Sequence, residues 1–204
     1  MNIRALAQQE SWQWPQEAGQ IFLQVLQDSQ ADAADRLLAA ELAGDPVAMS
    51  DDLARTFLSI VGNSREPEEL RRQAAISLGP VLELADIDEF DDPQFMPISE
   101  SMFQTITKRL SELYKDQSLP THVRRSILEA SVRAGQEWHR EAIQEAYESP
   151  DEDWRLSAVF CMRFVRGFES QILKSLQSAN EDIHYQAVIA ADQLTKELAT
   201  AYLA

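Results

Sequence analysis

The sequence predicts an all-α protein, an array of about five helical hairpins stacked as a solenoid, and three observations carry that expectation. Apolar residues recur at three- and four-residue spacings, the mark of a helix with one buried face. Only 6 glycines occur in 204 residues, and strict apolar–polar alternation over a strand length is hard to find. A ten-residue register also recurs, at Leu70–Gly79, Val123–Val132, Trp154–Arg163 and Ile183–Asp192. Each copy reads apolar, basic, two variable, two small or apolar, variable, small. The starts lie 53, 31 and 29 residues apart (123 − 70, 154 − 123, 183 − 154), so the first gap holds an insertion. A repeat of this kind means that each hairpin buries its apolar face only against its neighbours.

The elements follow in order. Residues 1–15 stand outside the repeats, and Trp12 and Trp14 are expected to pack over the first hairpin as a cap on its open apolar end. Residues 16–28 and 31–43 form a fainter first pair of helices. Segment 50–62 is the first helix of the next hairpin, and Pro67 sits where a first-turn proline loses no hydrogen bond. Residues 84–98 are an insert with five acids and no base. It reads as a solvated acidic loop that Phe90, Phe95, Met96 and Ile98 tack onto the helices. Ser99 opens a helix over 99–116 that places Met102, Phe103, Ile106, Leu110 and Leu113 on one stripe. Pro120 precedes the next second helix, and 136–148 and 168–178 are first helices. Asp151 and Asn180 are N-cap candidates, and Gly135 and Gly167 follow helical runs as C-terminal stops should. The helices are expected to run 11–20 residues with short links.

The register, small residues included, resembles the second helix of HEAT-like repeats, of the short subtype also found in bilin-lyase proteins. That pattern reads Asp-Pro-x-Val-Arg-x-x-Ala-Ala-x-Ala-Leu-Gly, and Leu70–Gly79 and Asp151–Ala158 fit it best. The resemblance covers roughly residues 16–202. It implies a right-handed α-solenoid: a capping segment at 1–15, then a repeat domain over 16–204 with the acidic insert at 84–98. It also implies that Arg71, Arg124 and Arg155 form a ladder, each pairing with an acid or cap of a neighbouring repeat. The last copy departs from the pattern, with His184 in place of arginine.

Charge narrows the function classes. Lysine plus arginine number 18 and aspartate plus glutamate 34, so the net charge is 18 − 34 = −16. Residues 1–102 carry 6 bases and 19 acids (6 − 19 = −13), and residues 103–204 carry 12 and 15 (12 − 15 = −3). Nucleic-acid affinity comes largely from neutralising phosphates with Lys and Arg, so no nucleic-acid partner is expected, although Trp138 and Trp154 could serve as stacking aromatics. No apolar run approaches the ~18–20 residues of a membrane span. The N-terminus lacks a secretory apolar stretch, and with the single cysteine, Cys161, the expected location is cytoplasmic.

Candidate chemistry finds little to stand on. His122, His139 and His184 are too far apart to share a helix, and His-Glu-x-x-His is absent. No histidine precedes a glutamate, so the dyads of HEAT-like di-iron enzymes do not transfer. Each histidine reads as an ordinary surface or half-buried side chain. Counted from Asp86, an EF-hand loop would need an oxygen ligand, glycine and glutamate where Phe90, Asp91 and Pro97 stand. Glycine-rich phosphate loops and the Gly-x-Ser-x-Gly elbow are missing. Cys161 reads as an inert mid-helix packing residue. No catalytic residue, metal or cofactor is therefore expected.

The expected function is that of a non-enzymatic adaptor or scaffold binding a protein or peptide on the concave solenoid face. A ligand- or cofactor-handling lyase or chaperone of the bilin-lyase kind is the alternative that the resemblance leaves open. Two register rows would line the face: Arg72, Arg125, Leu156 and Tyr185, and four residues on, Ile76, Glu129, Phe160 and Ile189. Arg163 and Arg166 would edge it together with Arg72 and Arg125. Phe160 and Ile189 could equally fill the core. Asp88, Glu89, Phe90, Asp91 and Asp92 form a candidate docking loop for a basic partner.

Overall fold

The computed structural model of the chain describes residues 3–88, 90–92 and 95–203; Glu89, and the side chains at 193 and 195–203, lie outside that description. Every regular element among the described residues is helical. In order they are α1 (Ile3–Leu6), a 3-10 turn (Ser11–Gln13), α2 (Ala18–Gln27), α3 (Ala33–Leu42), α4 (Asp51–Gly62), α5 (Glu68–Ile76) and α6 (Gly79–Asp88). There follow α7 (Glu100–Lys115), α8 (Thr121–Ser131), α9 (Glu137–Glu148), α10 (Glu152–Cys161), α11 (Glu169–Ser175) and α12 (Glu181–Leu203).

Local chemistry starts these helices where the sequence says it should. The side chains of Ser50, Ser99 and Asp151 accept backbone N–H groups in the first turns of α4, α7 and α10. Asn180 Oδ1 does the same for Asp182 and Ile183, at 3.0 and 3.2 Å. Such caps satisfy donors that have no partner within the helix. Pro67 and Pro120 stand one residue before the first helical position rather than in it. Gly167 turns the chain after α10 with φ +91°, a left-handed backbone that only glycine enters without strain. Gly135 ends no helix in that way, because its φ is not positive.

Several helices fall outside the expected range of length: α5 has 9 residues and α11 has 7, α2, α3, α6 and α10 have 10 each, and α12 has 23. Pro80 explains the first: without an N–H it cannot extend the ladder of α5, and the chain restarts as α6. The same restart makes residues 84–88 helical, so the acidic insert is a helix end followed by a turn, not a loop throughout.

The helices gather into two compact units, divided between Ala134 and Gly135. In the first, α2–α3, α4–α5 and α7–α8 are hairpins; α4 packs against α2 and α7, and α5 against α3 and α8. This makes two layers, one of first helices and one of second helices. Phe22, Leu26, Leu53, Phe57, Ile106 and Leu110 are fully buried in the core. Ser77 ties one hairpin to the previous one, its Oγ donating to Ala40 O at 2.7 Å. Helix α6 lies on α8, and α1 on α2 and α3. Only one of the two N-terminal tryptophans covers the first hairpin. Trp14 donates through Nε1 to Leu6 O at 3.0 Å and meets Phe22 edge-on, whereas Trp12 is 75% exposed. In the second unit α9–α10 and α11–α12 are hairpins, and α10 packs against α12.

Candidate functional site

The recurring arginine comes first, because it separates what holds the hairpins from what they offer. Arg71 Nε donates to Val61 O at 3.0 Å and Arg124 Nε to Tyr114 O at 2.9 Å. Arg155 Nη1 donates to Ser149 O at 3.1 Å, and His184 Nδ1 to Leu176 O at 2.8 Å. In each case a donor early in the second helix reaches the C-terminal end of the first helix of the same hairpin. There the last carbonyls lack helical partners and the dipole is negative. These bonds therefore run within a hairpin.

Arg36 belongs to the same column and was missed by the sequence reading. Its Nη2 donates to Leu26 O at 3.0 Å, and its fork also grips Glu66 at 2.7 and 2.9 Å, in the next hairpin. Those hydrogen bonds hold the Glu66 carboxyl below its ordinary range. The signal was present: Arg36, Ala39, Ala40 and Gly44 match Arg71, Ala74, Ala75 and Gly79 position for position. Asp35 in place of an apolar start concealed it.

The two rows of the expected face divide between the units. In the first unit Arg72, Ile76, Arg125 and Glu129 are half-buried on the adjacent helices α5 and α8. Arg72 pairs with Glu69 at 2.9 Å one turn earlier, so this stretch is largely charged. In the second unit the character changes. Leu156 and Phe160 on α10, Ile189 on α12 and Arg163 beyond α10 are half-buried, and Tyr185 on α12 is 63% exposed. Phe160 and Ile189 thus belong neither wholly to the core nor wholly to the surface.

An aromatic group surrounds Arg163. Its guanidinium lies 5.3 Å from the ring centre of Phe160 and 5.4 Å from that of Phe164. The two rings are 5.6 Å apart and tilted by 53°. Stacking of this kind preorganises an arginine while leaving its N–H edge available for hydrogen bonding. Phe164 and the exposed Val188 extend the rows but were not singled out from the sequence. Phe164 lies four residues beyond Phe160, a spacing that could have found it. The chemistry on offer is apolar and cationic contact.

The acidic insert has a different build. Asp88 ends α6, and Asp91 and Asp92 are exposed; Glu89 lies outside the described residues. Phe90 adopts φ 58° and sets its ring edge-on to Phe103 at 5.7 Å. Ile98 is buried, but Phe95 is 79% exposed and does not tack the turn down.

His122 and His184 are exposed, but His139 is fully buried rather than at the surface or half-buried as expected. Its Nδ1 accepts the Gln136 N–H at 2.9 Å, which places the ring proton on Nε2, and burial pushes its pKa down to about 4. Cys161 is the last residue of α10 rather than mid-helix, and it is fully buried. Among the described residues no group of three or more His, Cys, Asp or Glu side chains is placed to hold a metal ion. No helix among them is long and apolar enough to cross a membrane. The sequence matches no protein-family model and no curated protein.

Proposed function

We propose that this chain is a HEAT-like repeat protein of the right-handed solenoid type that acts as a cytoplasmic adaptor. It binds another protein or peptide through the face of its second helices and performs no chemistry of its own. The observation that carries this reading is the α10–α12 face. Repeat positions that a purely structural array would bury or make polar hold Phe160, Tyr185 and Ile189 there, beside a ring-stacked Arg163. Aromatic anchors next to arginine are the usual makings of a binding hot spot, and an amphipathic helix or extended peptide suits such a surface.

Tyr185→Ser with Val188→Ser tests the reading cleanly, because both side chains are more than half exposed. Melting should stay within about 0.5 kcal/mol of wild type, the usual range for surface substitutions. Partner capture, read by affinity purification and mass spectrometry, should be lost. Recovery of the same partners by a normally folded double variant would sink the proposal.

A further inference from the structure

We propose that the turn after α6, in the first unit, is a second docking surface, and that it takes a basic protein segment carrying an aliphatic or aromatic anchor. The carboxylates by themselves would be no more than a solubilising edge. What makes the surface is the pair of large apolar side chains set among them. Ile87 is 71% exposed and Phe95 79% exposed, in the same short stretch as the exposed Asp86, Asp88, Asp91 and Asp92. From Arg72 to Lys108 the sequence has no lysine, arginine or histidine.

Residues on either side of Phe95 make fixed contacts with the helices. On one side the Phe90 ring lies against Phe103, and that contact keeps a left-handed backbone rare for a bulky residue. On the other side Ile98 is buried, and Ser99 gives Asp51 two hydrogen bonds, N–H to Oδ1 at 2.8 Å and Oγ to Oδ2 at 2.7 Å. Asp91, Asp92 and Phe95 lie between these anchors in sequence, with Ile87 and Asp88 just before them, and all five side chains are exposed. Complementary charge decides the occupant. An acidic segment would meet like charge at every approach, whereas a basic one is drawn in over a Debye length of about 8–10 Å and then held by the apolar contact.

Fluorescence anisotropy on the full chain tests this with three labelled peptides: an amphipathic Lys/Leu peptide, an oligolysine of equal charge, and a Glu/Leu counterpart. The Lys/Leu peptide should bind. Its Kd should rise at least about tenfold in Ile87→Ser/Phe95→Ser, and again in Asp88→Asn/Asp91→Asn/Asp92→Asn, the scale of a lost anchor. Oligolysine should respond to the Asn variant alone, and Glu/Leu should not bind. All substituted side chains are exposed, and circular dichroism checks that each variant folds. Equal Lys/Leu binding by wild type and Ile87→Ser/Phe95→Ser overturns the proposal, as does no binding to wild type. Loss of that binding in Tyr185→Ser/Val188→Ser also overturns it, while leaving the α10–α12 reading intact.

Discussion

At the scale of single residues, His139 turns burial into a pH dependence. Its ordinary pKa is 6.5 and the folded value is about 4, because burial disfavours the imidazolium and Nδ1 already accepts the Gln136 N–H. The folded pKa lies below the unfolded one, so between these values the unfolded chain binds the extra proton. The stabilisation is complete above pH 6.5 and is lost as pH falls towards 4. At about 1.4 kcal/mol per pKa unit the loss reaches about 3 kcal/mol. His139→Asn keeps an acceptor for Gln136 without the titration. Urea unfolding at several pH values should show the advantage of wild type over this variant shrinking from pH 7 to pH 4. A constant difference would mean that His139 does not titrate on unfolding.

At the scale of elements, the hairpin is the unit that the arginine column secures. Arg71 is buried and serves a helix-end carbonyl, so Arg71→Met strands Val61 O and should destabilise by about 1–3 kcal/mol. Arg36→Met should lose about 3 kcal/mol, because it also leaves the Glu66 carboxylate unpaired between hairpins. Arg155 is only half-buried and its carbonyl partners lie near solvent, so Arg155→Met should lose less than about 1 kcal/mol. Denaturant midpoints of the three variants give the ranking directly. An Arg71→Met variant as stable as wild type would show that the carbonyl finds water instead.

At the scale of the whole molecule, the charge of −16 dominates. Like charges repel in the compact state, and salt screens that repulsion. The individual surface ion pairs that salt also weakens, such as Arg72–Glu69 and Arg109–Glu112, contribute little each. The melting temperature at pH 7.5 should therefore rise by a few degrees between 0.05 and 0.5 M sodium chloride. A fall over that range would show that specific ion pairs, Arg36–Glu66 foremost, outweigh the general repulsion.

Local sequence chemistry dictates the helices. Caps such as Ser99, Asp151 and Asn180, and stripes such as Met102–Ile106–Leu110, are local, and the backbone follows local chemistry when hydrogen bonds close within four residues. The pairing into hairpins is legible in the sequence too, since the register marks every second helix but the first. Which side chains each helix surrenders to its neighbours depends instead on packing. Phe160 and Ile189 share a register position with Ile76, yet no periodicity could say how far each is covered, because coverage depends on the packing of the next helix. Trp12 and Trp14 stand two residues apart; contact with Phe22 and Leu6 half-buries one, and the other faces water. His139 is polar in sequence and became core because α9 turned that face inward. Period fixes the face of a helix, but the partner across it fixes burial, pKa and exposure, and that partner is distant in sequence.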